Sequence, residues 1–418
     1  GRMLWLNNAR DIEKAGRMVF IRYQLPKMKR IKIYAEWCRY AKSLDSLYKK
    51  IESLNLSKIS NPALLKLWND FHKLYIKFWV SGSIPELANY GSTSFLEEKL
   101  LTYLPNENDR ANVLEVLTAP TRLSFYQEEE IDLVKTHNMS EHQKRYFWLK
   151  NSYAGTKVLS VDFFRNRKKS LSPKLEAKII EKLSQTTHKK REVRQKYKLS
   201  KTILDIAEAI SSGVTWQDER KKHIFIALHY TDMLAKEIAK RFGYKFTEFN
   251  NLWYFEVADI VKGTKYHKKI KQREAGFGVQ FFHTCKELSA QETGFIWQAY
   301  EVKNTNQEQK EIKGIIASKG DGEKLSGRIH ILLDPFKSKT FKQGEILVAP
   351  MTSPEYIFAM RKAKAILTDT GGLTSHAAIV SRELGIPCLV GTKLATKIFK
   401  DGDLVEINQH TGTAKKIS

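Results

Sequence analysis

Ala365-Ile366-Leu367-Thr368-Asp369-Thr370-Gly371-Gly372-Leu373-Thr374-Ser375-His376-Ala377-Ala378-Ile379-Val380-Ser381-Arg382-Glu383-Leu384-Gly385-Ile386-Pro387 is the stretch that decides the fold of the last quarter of the chain. Its apolar start reads as a short buried strand, the Gly-Gly pair as a turn, and Thr-Ser-His as the opening of a helix. That helix buries Ala377, Ile379, Val380 and, in part, Leu384, then stops at Gly385 with Pro387 beyond. His376 therefore stands at a helix N-terminus, where free backbone N–H groups and the dipole favour an anion. The same field works against a protonated imidazole, and only a neutral ring offers phosphorus a lone pair. Gly371 and Gly372 remove side chains where a phosphate would approach the backbone. The hydroxyls of Thr374 and Ser375, and Arg382, could bind phosphoryl oxygens if they turn inward. A capped core helix with an incidental histidine is the competing reading of these residues.

Outward from this stretch lie further β-type runs: Gly314–Ala317, Arg328–Leu333, Ile346–Ala349 and Leu404–Ile407, separated by turns such as Asp401-Gly402-Asp403. Upstream the texture is different. After Gly1 the first 80 residues contain only Gly16. Leu64, Leu65, Leu67, Trp68, Phe71, Leu74, Tyr75 and Phe78 recur at helical spacing, and Asn61-Pro62 predicts the start of that helix. Ile203–Ile210 and Ile224–Phe242 repeat the pattern, the second closing at Gly243. Tyr146, Trp148, Leu149, Tyr153, Val158 and Leu159 read as core. Lys189 to Lys196 reads as a solvated helical face within a hairpin of helices. The polar run Asn304 to Lys310 marks a boundary. The expected architecture is α+β and multidomain: an all-α region over 3–303, a connector over 304–313, and a β-containing domain over 314–418.

Composition narrows the function classes. The 418 residues are 42% hydrophobic and 28% charged, which describes a foldable chain. No run approaches the length of a membrane span, so no membrane association is expected. Cys38, Cys285 and Cys388 are too far apart in sequence for a disulfide framework or a zinc knuckle, which points to a reducing, cytoplasmic setting. The formal charge is +25, and it is unevenly spread. Residues 314–418 hold 15 Lys and Arg against 10 Asp and Glu, so about four fifths of the surplus lies in front of them. Such a surplus invites a polyanion, but no nucleic-acid signature accompanies it. The pair Gly276-Phe277-Gly278 lacks the further glycine and the lysine–hydroxyl pair of a phosphate loop.

The Ala365 to Pro387 segment closely resembles the active-site signature of the swivelling phosphohistidine domain shared by phosphoenolpyruvate synthase, pyruvate phosphate dikinase and rifampin phosphotransferase. Gly314 to Gly320 with Gly327-Arg328, and Gly344 to Pro354, resemble the strands of the same domain, so the likeness covers about residues 314–418. More loosely, Trp216-Gln217-Asp218-Glu219-Arg220 and Phe249 to Glu256 resemble the helical acceptor-binding domain of rifampin-phosphotransferase-like proteins.

The resemblance implies a β/β/α swivelling domain in which His376 carries a phosphoryl group. Thr374 falls where the dikinases have a regulatory threonine. Arg220 and Glu256 become candidate acceptor-binding residues. The ATP-grasp and TIM-barrel parts of those enzymes find no counterpart in these residues. No cofactor and no metal site are therefore expected in this chain, and Mg-ATP is expected on a separate ATP-grasp protein. The acceptor is an unidentified small molecule. Two other classes remain open: a binding or regulatory protein that keeps the swivel fold without phosphorylation, and a basic nucleic-acid-binding protein.

Overall fold

The computed structural model describes residues 7–153, 155–281, 284–303, 311–320, 322–335, 340–352, 356–372 and 375–417. They form two compact units. One joins residues up to Phe95 with Pro120–Ala299; the other joins Leu96–Ala119 with the residues from Tyr300 onward. The short Leu96–Ala119 segment, read from sequence as part of the helical region, thus groups with the β-containing unit.

The first unit is built on the helix Lys201–Phe242, 42 residues long. Ser200 caps its start, and Gly243 ends it in the left-handed conformation at φ 74°. The two apolar stretches read from sequence are one helix, buried along most of its length. Helix Lys27–Ser53 packs beside it, Trp37 against Trp216 and Tyr48 stacked on Tyr230, and its buried Trp37, Leu44 and Ile51 share one face at a seven-residue spacing. Helix Asn61–Gly82 opens where Asn61-Pro62 predicts, with the Ser60 hydroxyl accepting from Ala63 N–H. Helix Leu175–Lys196 buries none of its residues, in keeping with a solvated basic face. In the aromatic run, Tyr146, Trp148, Leu149 and Leu159 are core, but Tyr153 is 69% exposed and Val158 is 55% exposed. The chain leaves its helix after Tyr146 and bends, which removes those two from the interior. One antiparallel ribbon, β1 (Gly278–Phe281) with β2 (Cys285–Leu288), interrupts the helices.

The second unit holds β3 (Glu311–Lys313), β4 (Ile315–Ser318), β5 (Lys324–Ile331), β6 (Ile346–Ala349), β7 (Ala365–Thr368), β8 (Cys388–Val390), β9 (Leu404–Asn408) and β10 (Thr413–Lys416). They make one sheet in the order β3-β10-β9-β5-β6-β7-β8-β4. Strands β5 to β8 run parallel, and the flanking pairs are antiparallel. Every residue of β6 and β7 is buried, the pattern of strands covered on both faces. Ile329, Ile346, Val348, Leu367, Leu389, Phe399, Val405 and Ile407 form the core. Asn304 to Lys310, most of the expected connector, lies outside the described residues. Its last part is not a connector: Glu311–Lys313 pair with β10, and Ile312 is buried between two exposed charges. Among the described residues no helix is long and apolar enough to cross a membrane.

Candidate functional site

The parallel strands β6, β7 and β8 end on the same edge of the sheet, and the loops that follow them are tied together through the backbone. Asp369 N–H donates to Ala349 O at 3.1 Å and Thr370 N–H to Pro350 O at 2.9 Å. From the other side, Thr392 N–H reaches Thr368 O at 3.0 Å and Lys393 N–H reaches Asp369 O at 2.8 Å. The Asp369 carboxylate accepts from the Thr396 N–H at 3.0 Å and from the Thr396 hydroxyl. Burial pushes its pKa up, and the Thr396 hydrogen bonds work the other way. The carboxyl edge of parallel strands is where open sheets bind ligands, and His376 is found there.

Helix His376–Leu384 starts at this edge. Ser375 is its N-cap: the Ser375 hydroxyl accepts from Ala378 N–H at 3.3 Å, and Ser375 N–H donates to Gly372 O at 2.9 Å. The helix closes at Gly385, φ 69°, as the sequence predicts. His376 is partly exposed, and its Nδ1 shares a hydrogen bond of 3.0 Å with the Thr352 hydroxyl. Thr352 is 9% exposed and follows β6 in the chain. Sequence reasoning passed over it, although it stands inside the Gly344 to Pro354 segment already singled out.

The two glycines are not equivalent. Gly371 has φ 121°, and a Cβ there would lie 2.9 Å from Ser375 Oγ, so the N-cap requires this glycine. Among the described residues a Cβ on Gly372 would meet nothing within 4 Å, and its φ lies outside the left-handed region. Its missing side chain leaves that position uncrowded by any described residue. Thr374 lies outside the described residues. Arg382 follows His376 by six residues, about 9 Å along the helix. Its Nε donates to Ala317 O at 2.8 Å and lies 3.6 Å from Glu115 Oε1, while burial lowers its pKa. The structure therefore brings together Gly371, Gly372, Ser375, His376 and Thr352, and directs Arg382 to β4 instead.

The candidate residues of the helical unit sit in two separate networks. Trp216 to Arg220 reach different neighbours in turn. Gln217 donates to Pro85 O at 3.0 Å, Asp218 accepts from Phe125 N–H at 2.9 Å, and Glu219 accepts from the Tyr34 hydroxyl at 2.6 Å. Arg220 is 2% exposed; it donates to Gly82 O at 3.0 Å and pairs with Glu86. Burial lowers its pKa to about 10. Glu256 is 1% exposed and takes two hydrogen bonds from Arg273, at 2.6 and 3.0 Å, one from Lys269 at 2.7 Å and one from Trp253 N–H at 2.9 Å. Burial opposes its ionisation, but these donors together hold its pKa below the usual range. Among the described residues no group of three or more His, Cys, Asp or Glu is placed to hold a metal.

Residues 341–412 match the family model of the PEP-utilising enzyme mobile domain. A probable phosphoenolpyruvate synthase of Pyrococcus horikoshii is 47% identical over 116 residues, 28% of this chain and 14% of that protein. The phosphoenolpyruvate synthase of Pyrococcus furiosus is 47% identical over 118 residues, again 28% and 14%. An uncharacterised phosphotransferase, YvkC, of Bacillus subtilis is 40% identical over 116 residues, 28% and 13%. The chain thus spans about one seventh of the length of these relatives. About a quarter of it matches the PEP-utilising enzyme mobile domain, and the residues covered by the family model include His376.

Proposed function

We propose that this chain is a phosphoryl-transfer protein in which His376 takes a phosphoryl group from ATP, bound as Mg-ATP by a separate ATP-grasp protein, and passes it to an acceptor held by the helical unit. The observation that carries this reading is the His376–Thr352 pair at a helix N-terminus, inside the matched domain. With Nδ1–H donating to the Thr352 hydroxyl, the lone pair stays on Nε2, which becomes the nucleophile. The Nε2–P bond forms as the bond from phosphorus to the nucleotide oxygen breaks, and the electron pair leaves with the nucleotide. An acceptor oxygen then attacks the same phosphorus; the N–P bond breaks and its electron pair returns to Nε2. Backbone N–H groups of the first helical turn, together with the uncrowded position at Gly372, accommodate the phosphoryl oxygens. Gly371 and Ser375 hold that turn in place, and Arg382 anchors the helix end to β4.

The test is direct. The protein, isolated with a competent donor and digested under alkaline conditions, should show one acid-labile phosphate, on His376, by mass spectrometry. His376→Gln should carry none. The purified chain alone, with labelled ATP and Mg²⁺, should stay unlabelled. Label that survives in His376→Gln, or resists acid, overturns the assignment; stoichiometric self-labelling overturns the separate donor. A folded protein that no donor labels would be a binding or regulatory one.

A further inference from the structure

Lys393 is the central residue of a tight turn that side chains of L-residues rarely adopt. Its φ is 69°, and Leu394 N–H donates across it to Thr392 O at 2.9 Å. A hydrogen bond of that span over a positive φ marks the rarer, strained form of γ-turn. Among the described residues only one other non-glycine, Lys198, has a positive φ, and it lies just beyond a helix end, where that conformation is common. Lys393 instead follows β8 and precedes the short helix Ala395–Ile398. Glycine would take such a turn at no steric cost. Strained residues of this kind gather at functional sites, where the surroundings hold them in place.

The surroundings here are the loops of the His376 site. Lys393 N–H donates to Asp369 O at 2.8 Å, and Thr392 gives both its N–H and its hydroxyl to Thr368 O, at 3.0 and 2.9 Å. Gly391, φ 68°, passes so near the glycine pair that a Cβ on it would lie 3.0 Å from Gly371 O. The turn is thus locked onto the strand end that leads to His376. The Lys393 ammonium takes no part in that lock: it is exposed and, among the described residues, has no hydrogen-bond or ion-pair partner. In the loop residues that meet at this edge, 350–352, 369–372 and 391–393, Lys393 is the only cation and Asp369 the only anion. Asp369 is committed to Thr396, and Arg382, the cation expected from sequence, to Ala317 O. A phosphoryl dianion on His376 therefore depends on Lys393 for a side-chain charge to answer its own. A point charge on a flexible four-carbon stem suits a group that is received and then released.

We propose that the Lys393 ammonium binds the phosphoryl group on His376, the strained turn holding its stem at the rim of the site; this deepens, and rests on, the reading of His376 as the phosphoryl acceptor. Potassium phosphoramidate tests it without a donor protein. His376 Nε2 attacks phosphorus, the P–N bond of the reagent breaks, its electron pair leaves with ammonia, and the proton of the imidazole passes to solvent. In full-length protein, His376 should be labelled about tenfold faster in the wild type than in Lys393→Gly or Lys393→Gln, with exposed His410 as the internal reference. Lys393→Arg should keep most of the rate, and added salt should slow the wild type more than the glycine variant. Because glycine suits the turn, Lys393→Gly should melt no lower than the wild type, which separates lost charge from lost fold. Equal His376 rates in all four proteins, a loss in Lys393→Arg as large as in Lys393→Gln, or a wild-type His376 that phosphoramidate leaves unlabelled would each overturn the proposal. A wild type that reacts faster in this way, yet is labelled by no donor protein, would overturn the transfer reading and leave the Lys393 contact standing.

Discussion

The helical unit and the β-containing unit keep their shapes by different means. In the helical unit polar side chains reach across the packing: Arg220 to helix Asn61–Gly82, and Glu256 to Arg273 and Lys269. In the other, the site is shaped by backbone: N–H to carbonyl ties between loops, a positive φ at Gly371 and a capping serine. Long-range side-chain pairs depend on which helices meet, whereas turns and caps are written locally. A local device can be recognised in a stretch of twenty residues; a pair such as Glu256 and Arg273 cannot.

The contrast can be tested with one convenient probe. All eight tryptophans lie at or before Trp297, so tryptophan fluorescence reports the helical unit. The largest effect is expected from Arg273→Met, which leaves Glu256 buried without its bidentate partner. Fluorescence-monitored urea unfolding should show a loss of about 3–5 kcal/mol. A loss under 1 kcal/mol would make this network ornamental and weaken the contrast. Next comes Gly371→Val, which places a β-branched residue at φ 121° against Ser375. It should cost about 1–3 kcal/mol in the β-containing unit and remove His376 labelling. Gly372→Val, with no described residue near its Cβ, should fold normally yet lose transfer; full labelling there would confine the glycine pair to a turn-forming role.

Acidification should weaken the helical unit selectively. Burial lowers His72 and His223 to about 4, so the unfolded chain takes up protons below its own value near 6.5 while the folded one does not. Their contribution is complete above that value and is lost as pH falls toward 4. Asp218, raised to about 6 by burial, acts oppositely: its contribution is present at low pH and fades as pH rises through 6. Two histidines outweigh one aspartate. Stability should therefore drop by on the order of 2 kcal/mol between pH 7 and 5. His72→Gln with His223→Gln should flatten that slope, and an unchanged slope would place its origin elsewhere. The smallest effect is expected at Thr352: Thr352→Val should slow labelling of His376 about tenfold without changing stability, and Thr352→Ser should restore it.

The legibility of the chain follows the same division. Strands β6 and β7 were readable because parallel, fully buried strands are continuous apolar runs. Strands β3 and β10 were not, because Glu311-Ile312-Lys313 and Thr413-Ala414-Lys415-Lys416 each contribute one or two inward residues among exposed ones. The long helix read as two because Ser211-Ser212-Gly213-Val214-Thr215 is poor in helix formers. Packing overrides propensity there: Gly213 admits Gln24, whose side-chain nitrogen donates to Ala209 O at 2.8 Å. At the site, His376, Ser375 and the glycines were legible as a local motif. Thr352 was hidden by its distance of 24 positions from His376, and only the pairing of β6 with β7 brings it to the imidazole.

The sheet order carries one more consequence. β3, with which the sheet-forming sequence begins, hydrogen-bonds to β10, with which it ends. The two points where the backbone enters and leaves the sheet are side by side on one rim. A module with adjacent ends can be spliced into a host polypeptide, or have its termini relocated by circular permutation, without prising the sheet apart. The same adjacency makes this segment portable, a cassette that different neighbours can flank.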